Sequence, residues 1–243
     1  MPELAEVEIQ SRMLSRRLRG TRIRAIEVRD PKIQLRDRLI GRTIRRIWRR
    51  AKFIIFDLTG DRHLLVHLRM TGWFEFVQPA RYRLAIVTAK GAAYFADSRR
   101  FGTVAVLRGD ELRRALAHLG PEPLARSCDL TRLARTRRPI KVALLDQRLI
   151  AGVGNIYANE ALWRARLDPR RPANRLQAKE RQRLQHGIRA ALRKGIAYGP
   201  QIFEVQTFTV YDRALQPCRR CGTRIRRVVL AQRSTFFCPR CQR

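Results

Sequence analysis

Four cysteines near the end of the chain place the tightest constraint on how it can fold. They form two Cys-x-x-Cys pairs, Cys218 with Cys221 and Cys238 with Cys241, and 16 residues separate the pairs. Four thiolates at this spacing suit a tetrahedral zinc site that protein ligands fill completely, so that the metal is structural. The alternative is two independent redox pairs, but neither pair follows a thioredoxin-like strand–helix–strand pattern. The spacing therefore predicts one structural zinc ion, and Cys128, which stands apart, is expected to be a packed side chain.

The part of the chain before residue 110 is rich in short β-type runs. After a predicted helix over residues 3–19, runs of β-branched and aromatic residues recur with turn signals between them. These runs are residues 22–28, 43–49, 53–58, 63–69, 73–77, 84–88, 93–96 and 103–107. Many short strands at even spacing predict a β-sandwich or a barrel.

A stiff segment, Gly120-Pro121-Glu122-Pro123, separates this part from a helical one. A short helix over residues 110–118, capped by Asp110, is predicted before it, and helices over residues 140–149, 155–166 and 178–198 are predicted after it. In the tail, strands over residues 223–230 and 235–237 would form a hairpin with its tip at residues 231–233. We therefore expect an α+β protein with three domains, residues 1–119, 126–213 and 214–243.

The charge of the chain is strongly positive, with 53 Lys and Arg residues against 20 Asp and Glu residues and a formal net charge of +33. Such a field attracts polyanions, and nucleic acid is the first candidate. The sequence has no apolar run that could span a membrane, and acidic residues stand where a signal peptide needs basic ones. A cytoplasmic, nucleoid-associated protein is therefore expected.

The opening residues, Met1-Pro2-Glu3-Leu4-Ala5-Glu6-Val7-Glu8, admit two interpretations. One is an ordinary helix start, because proline suits the first turn and glutamates suit the positive end of the helix dipole. The other is a nucleophile, since removal of Met1 would leave Pro2 with an α-amine whose pKa lies well below that of lysine. A neutral amine can attack a sugar C1′ and form an iminium, with Glu3 beside it as general acid or base.

A second candidate site is the sequence Ala151-Gly152-Val153-Gly154-Asn155, which interrupts one predicted helix and starts the next. Two glycines beside exposed helix N–H groups can seat a phosphate, with Lys141 before the first helix and Asn155 capping the second. Glycines at this spacing also occur in ordinary helical hairpins, so the pattern alone leaves both interpretations open.

Three motifs, in this order, resemble those of the formamidopyrimidine-DNA glycosylase and endonuclease VIII family. They are Pro2-Glu3-Leu4-Ala5-Glu6-Val7-Glu8, the turn and helix over residues 151–162, and Ala231-Gln232-Arg233-Ser234-Thr235-Phe236-Phe237-Cys238. Shorter matches add to them: Arg49-Arg50-Ala51-Lys52, His67-Leu68-Arg69-Met70-Thr71-Gly72, Arg99-Arg100-Phe101-Gly102 and His118-Leu119-Gly120-Pro121-Glu122-Pro123-Leu124. The resemblance spans residues 2–241, essentially the whole chain.

This resemblance implies an N-terminal β-sandwich with a leading helix, a helix–two-turn–helix domain and a zinc-finger hairpin that clamp double-stranded DNA. It implies a monomeric glycosylase that excises oxidised bases, above all purines such as 8-oxoguanine, and an abasic-site lyase that cleaves the strand by β- and δ-elimination. The catalytic residues it implies are Pro2 as nucleophile, Glu3 as acid/base, Lys52 and Arg233. The residues it places on DNA phosphates are Arg137, Lys141, Asn155 and Arg233. Those it places near the pocket are Glu6 and Glu160, whose ordinary alternatives are a helix cap and a helix-surface charge, respectively.

An extruded base leaves a gap in the duplex, and something must offset the cost of unstacking. The resemblance places Met70, Arg99 and Phe101 in that gap, as an apolar plug, a donor to the orphaned base and an aromatic wedge. Met70 and Phe101 have core packing as their ordinary alternative, and Arg99 a solvated surface. An arginine facing the orphaned base would favour cytosine, which points to oxidised guanine as the lesion.

The sequence departs from the family pattern in three places. Ala5 and Ser98 each stand where the family usually has proline, and residues 195–217 are too few for the long loop that usually covers the flipped purine. The chemistry is therefore better specified than the lesion, and oxidised pyrimidines stay open as substrates. A non-enzymatic protein that binds damaged or abasic DNA is a further alternative, against which the intact Pro2, Glu3 and Lys52 argue. A zinc-ribbon RNA-binding protein has only charge and cysteines in its favour.

We predict that the active protein lacks Met1. An acylated proline nitrogen has no available lone pair, so a retained methionine would block formation of the iminium. Intact-mass measurement of the active protein should show the loss of one methionine. Full activity of a preparation that retains Met1 would exclude Pro2 as the nucleophile.

Overall fold

The computed structural model describes residues 2–35 and 37–243, so Met1 lies outside the described residues. The chain forms two compact units, Met1–His118 and Leu119–Arg243. None of the helices among the described residues combines the length and the apolar character that crossing a bilayer requires.

The first unit is a β-sandwich preceded by a helix, α1 (Leu4–Leu18). One antiparallel sheet has the strand order β1-β6-β7-β5 and the other the order β2-β3-β4-β8. The strands are β1 (Ile23–Val28), β2 (Ile44–Arg50), β3 (Phe53–Leu58), β4 (Arg62–His67), β5 (Trp73–Glu75), β6 (Leu84–Thr88), β7 (Gly91–Ala96) and β8 (Thr103–Leu107). The predicted strands and leading helix are confirmed, and the architecture is the sandwich rather than the barrel.

Successive side chains along a strand point to opposite faces, and those that point inward build the core between the two sheets. Ile54 and Phe56 of β3 face Leu84 and Ile86 of β6 in one buried cluster, to which α1 adds Leu14 and other apolar residues. The intervening residues of β3 and β4 turn to the outer face, where a helix α2 (Gly109–Leu116) covers them. A strand that is buried on both faces has a continuous apolar run, which is why residues 53–56 read Phe-Ile-Ile-Phe.

The side chain of Gln10 fixes α1 to the edge of a sheet. It is fully buried; its Oε1 accepts a hydrogen bond from Phe74 N at 2.6 Å and its Nε2 donates to Phe74 O at 3.2 Å. A side-chain amide offers the same donor and acceptor as a backbone residue. Gln10 therefore takes the place of a neighbouring strand for β5, and this sets the position of the helix.

The second unit is helical and ends in a hairpin. Its helices are α3 (Ile140–Leu145), α4 (Asn155–Ala165), α5 (Ala178–Ala197) and α6 (Ile202–Val205), and short 3-10 turns lie at Thr131–Arg135, Ala173–Arg175 and Gly199–Gln201. The hairpin pairs β9 (Arg226–Leu230) with β10 (Arg233–Phe237) in antiparallel register. The 3-10 turns and α6 were not predicted.

Two predicted helix caps are wrong, and α3 ends four residues before its predicted end at residue 149. Helix α2 begins at Gly109 with Arg108 as its N-cap, so the prediction of Asp110 as the cap is wrong. Helix α3 ends at Leu145, because the Asp146 carboxylate accepts hydrogen bonds from Arg148 N and the Arg138 guanidinium and turns the chain.

The third difference concerns α4. Gly154, not Asn155, is the N-cap of this helix, and Asn155 is its first residue. Glycine is one of the residue types favoured at an N-cap. Lys141 also lies inside α3 rather than before it, since that helix begins at Ile140.

Candidate active site

The start of α1 holds Glu3 and Glu6 in a reciprocal capping box. Glu3 N donates to Glu6 Oε2 at 2.8 Å, and the Glu3 side chain accepts from the Glu6 backbone N–H. Each glutamate is only 1 % exposed, and Pro2 is buried beside them. The helix-start interpretation is confirmed, and the same cap fixes Pro2, the candidate nucleophile.

Lys52 lies in the two-residue turn between β2 and β3 and is 9 % exposed. Arg49 holds this turn, because its Nη1 donates to Ala51 O at 3.0 Å. The same guanidinium pairs through Nε with Glu8 Oε2 at 2.8 Å. Since Glu8 belongs to α1, Arg49 connects the lysine turn to the helix that carries Pro2 and Glu3.

His67 is a functional candidate that sequence reasoning missed. Its Nδ1 accepts a hydrogen bond from Arg69 N at 3.0 Å, and its ring packs edge-on to Phe53 with centroids 4.8 Å apart. Burial, together with the positive charges of Arg69 and Lys52, lowers the pKa of His67 to about 4. The ring is therefore neutral, with its proton on Nε2, and offers a donor near Lys52. The available signal was the motif that begins at His67, which contributed to the resemblance without being assigned a role.

The three residues predicted to fill the gap in the duplex lie on two loops of the first unit. Met70 is half-buried, whereas Arg99 and Phe101 are exposed. Phe101 has half of its surface accessible and carries the Arg99 guanidinium 4.8 Å from its ring centroid. Core packing is therefore excluded for Phe101, and an exposed cation–aromatic pair is suited to contact bases.

In the second unit, two asparagines of α4 hold the C-terminal hairpin. Asn155 Nδ2 donates to Ser234 O at 3.1 Å, and Asn159 Oδ1 accepts from Phe236 N at 2.7 Å. Arg233, next to Ser234, is exposed at the start of β10. The structure therefore brings Asn155 and Arg233, both predicted to contact DNA, close to each other.

The hairpin turn before Arg233 consists of Ala231 and Gln232, both with positive φ, +46° and +59°. Two central residues of this kind make the type I′ turn that matches strand twist, for which Asn-Gly is usual. Two residues that carry Cβ atoms adopt this conformation at some cost, and such strain is concentrated at functional sites.

The remaining predicted residues of this unit differ in exposure. Arg137 is exposed, as a phosphate contact requires, whereas Lys141 is fully buried within α3. Glu160 is also buried and is not a helix-surface charge. Its Oε1 accepts hydrogen bonds from the backbone N–H groups of Thr209, Val210 and Tyr211 at 2.8, 2.8 and 3.0 Å. Glu160 therefore anchors the segment that leads to the cysteine-rich tail.

The four cysteines of the tail converge as a metal site requires. The sulfur atoms of Cys218, Cys221, Cys238 and Cys241 all lie within 4.8 Å of one another, and Cys221 Sγ is 3.5 Å from Cys238 Sγ. Tetrahedral zinc with Zn–S bonds of about 2.3 Å separates its sulfur ligands by roughly 3.8 Å. Trp163 Nε1 donates to Cys218 Sγ at 3.4 Å, a contact that stabilises a thiolate. The donor set fits one zinc ion that holds the hairpin and leaves no open coordination position.

The segment between α5 and the cysteine-rich tail is short, and a hydrogen bond joins its two ends. The 3-10 turn Gly199–Gln201 and α6 fill it. Thr207 N donates to Tyr198 Oη at 3.3 Å, which joins the two ends, and Gln206 Nε2 donates to Tyr157 Oη at 3.1 Å. Phe203 remains 60 % exposed on α6. This geometry agrees with the shortness that the sequence indicates.

The depressed pKa of His67 predicts how stability depends on pH. An unfolded histidine, with a pKa near 6.5, binds a proton more readily than the folded one, at about 4. The contribution of His67 to the free energy of unfolding should therefore be constant above about pH 6.5 and fall towards pH 4, by about 3 kcal/mol. Denaturant unfolding at several pH values should show that His67→Gln reduces this fall.

The matched control is His118→Gln, because His118 is exposed. An equal dependence on pH in His67→Gln and in the unmodified protein would contradict the assignment.

Three family models match successive parts of the chain. The formamidopyrimidine-DNA glycosylase N-terminal domain matches residues 1–104, and the formamidopyrimidine-DNA glycosylase H2TH domain matches residues 119–207. The zinc finger found in FPG and IleRS matches residues 216–243, the part that holds the four cysteines. The cysteine site is thus a structural zinc site by both geometry and sequence.

Full-length relatives share the same arrangement. The chain is 42% identical over 273 positions to the formamidopyrimidine-DNA glycosylase of Chloroflexus aurantiacus, covering 100% of this chain and 98% of the relative. Lactococcus lactis Fpg in complex with DNA that contains an abasic site is 32% identical, with a TM-score of 0.90 and all of both chains covered. A variant of the same protein, in complex with DNA that contains Fapy-dG, is 33% identical with the same TM-score and coverage. The chain belongs to the formamidopyrimidine-DNA glycosylase family.

Proposed function

We propose that this chain excises ring-opened and oxidised purines from double-stranded DNA and then cleaves the strand at the abasic site, using Pro2 as the nucleophile. The observation that carries the proposal is the buried start of α1, where Glu3 and Glu6 hold each other's backbone. Relatives crystallised with abasic-site DNA and with Fapy-dG DNA support the substrate class.

The first step is displacement of the base. The Pro2 nitrogen attacks C1′ of the extruded nucleotide as the bond from C1′ to the base breaks, and the base leaves with the bonding electrons and a proton. Glu3 then donates a proton to the ring oxygen O4′, and the sugar opens to an iminium on C1′.

Strand cleavage follows from the electron demand of that iminium. It acidifies C2′, and loss of a C2′ proton breaks the C3′–O bond and releases the phosphate on that side. A second elimination breaks the C5′–O bond. Lys52, held by Arg49 near α1, is an acid/base group for the sugar or its phosphate.

Contacts to phosphates come from the second unit in this proposal. Exposed Arg233 and Arg137 supply charge, and Asn155, which is hydrogen-bonded beside Arg233, positions the hairpin. Lys141 belongs to the same proposed set of phosphate contacts. Its side chain is fully buried, whereas a lysine that contacts an open phosphate would be exposed. The net charge of +33 adds a general attraction for DNA.

In this proposal, recognition depends on contacts to two bases, the orphaned base in the duplex and the extruded damaged base. Exposed Arg99 is a donor to the orphaned base, and the Watson–Crick edge of cytosine offers it two adjacent acceptors, N3 and O2, where adenine offers N1 beside an amino donor. The segment over residues 198–207 is short, and the 273 aligned positions against 243 residues agree with a shortened chain. We infer that the damaged base is contacted less than usual, so that discrimination between lesions is relaxed.

Borohydride trapping tests the reaction itself. The protein without Met1 should form a covalent adduct with an abasic duplex in the presence of borohydride, because reduction fixes the iminium. The control is the same protein with an acylated Pro2 nitrogen, which should bind the duplex without forming the adduct. Binding without an adduct in the unblocked protein would favour a non-enzymatic protein that senses DNA damage.

Single-turnover cleavage tests recognition. We predict efficient cleavage of abasic duplexes and slower excision of 8-oxoguanine, with a preference for cytosine over adenine opposite the lesion. Arg99→Ala should reduce that preference roughly tenfold, the equivalent of removing one hydrogen-bonded interaction with a base. Excision of 8-oxoguanine as fast as abasic cleavage would show that the short segment does not limit recognition. An unchanged preference in Arg99→Ala would exclude contact with the orphaned base.

Removal of zinc should weaken DNA binding without unfolding the sandwich. Zinc supplies structure only, so Cys238→Ser or chelation should unfold the hairpin and release Arg233 from its place. Because Arg233 then no longer neutralises a phosphate, the slope of log affinity against log salt should fall by about one. Arg233→Ser, with the zinc retained, is the matched variant and should give the same fall. Metal analysis that finds no zinc in protein with intact binding would contradict this.

A further inference from the structure

The loops that carry Met70 and Arg99 both lie on the ring of Phe95, which is fully buried. A Cβ atom added at Gly72 would be 2.9 Å from Phe95 Cε2, and one added at Gly102 would be 2.6 Å from Phe95 Cζ. Both distances are shorter than real contacts of this kind, so only glycine allows each backbone to lie so close. Both loops therefore pack against the same aromatic ring.

Hydrogen bonds to the Asp97 carboxylate also join the two loops. Its Oδ1 accepts a hydrogen bond from the Thr71 hydroxyl, and its Oδ2 accepts from Gly102 N at 2.7 Å. The Thr71 oxygen in turn accepts from Arg99 N at 3.2 Å. The hydroxyl of Thr71, the residue after Met70, therefore reaches the backbone of Arg99 directly.

A buried ion-pair network holds Asp97 in place. Arg83, only 4 % exposed, donates through Nη1 to Asp97 Oδ2 at 2.9 Å and to Gly102 O at 2.7 Å. Its Nε pairs with Asp30 Oδ2 at 2.6 Å, and Arg100 pairs with the same carboxylate. Hydrogen bonds from Arg100, the largest cause, keep the pKa of Asp30 far below its usual range, and those of Arg83 add to this. Each buried charge has a partner, which makes the arrangement rigid.

We propose that Thr71 is a positioning residue for the base opposite the lesion, because its hydroxyl sets Arg99 relative to Met70. The proposal rests on the proposed function of Arg99 and Met70 in the gap of the duplex. Thr71 acts through Arg99, since its hydroxyl is engaged by Asp97 and Arg99 N. A misplacement of about 1 Å at a reacting or recognising group can cost up to a hundredfold in rate, so a single hydroxyl can decide the preference.

Thr71→Val and Thr71→Ser form the test. Valine keeps the shape and removes the hydroxyl, whereas serine keeps the hydroxyl. We expect Thr71→Val to lower the preference for cytosine over adenine opposite 8-oxoguanine roughly fivefold to tenfold, by analogy with the removal of a hydrogen bond to a base. Thr71→Ser should restore most of it.

The matched control is Thr88→Val. The Thr88 hydroxyl also donates and accepts at once, to Gly91 O at 3.0 Å and from Lys90 N at 3.2 Å, but in the hairpin between β6 and β7. Thr88→Val should leave the preference unchanged. Measured unfolding free energies of the variants separate any loss of stability from loss of preference.

A double-mutant cycle distinguishes positioning from a separate structural effect. If Thr71 acts through Arg99, Thr71→Val should cause no further loss of preference in an Arg99→Ala background. Additive losses, or a Thr71→Val protein with full preference, would overturn the proposal. Failure of the unmodified protein to form the borohydride adduct would instead reject the proposed function, so the two failures are distinguishable.

Discussion

Glu3 and Glu6 each bind the backbone N–H of the other at the start of α1, and the candidate chemistry depends on this pair. An amine that attacks a sugar must keep one orientation, although a chain terminus is normally mobile. The capping box removes that mobility with groups that the helix needs in any case, because its first N–H groups lack partners. The same two glutamates therefore start the helix and fix Pro2, the residue proposed as the nucleophile.

The position of α1 is in turn set by polar contacts to the sandwich. Gln10 binds the backbone of Phe74, and Glu8 binds Arg49, which holds the turn of Lys52. Polar groups that lose water must find partners, so contacts of this kind tolerate little displacement. Apolar packing of α1 on the core supplies the bulk of the stability, whereas these hydrogen bonds select one register of the helix.

Local sequence patterns predicted the elements well and the long-range polar contacts poorly. Alternating apolar residues such as Ile54 and Phe56 identify strands because a strand has a period of two, and the cysteine pairs identify zinc because its geometry fixes their spacing. The end of α3 depends on the partners of Asp146, and the role of Glu160 depends on N–H groups about 50 residues later. No periodicity encodes such contacts, which is why a helix-surface position remained open for Glu160.

The residues proposed for catalysis and those proposed to contact the orphaned base are held by different contacts within the first unit. Pro2 and Glu3 are fixed by the first turn of α1, whereas Arg99 and Met70 are fixed through Thr71, Asp97 and the ring of Phe95. Substitutions that shift the loops over Phe95 need not disturb the capping box, since both of its hydrogen bonds form within the first turn of α1. In the proposed function, weaker contact between residues 198–207 and the damaged base would therefore leave the proposed chemistry at C1′ intact.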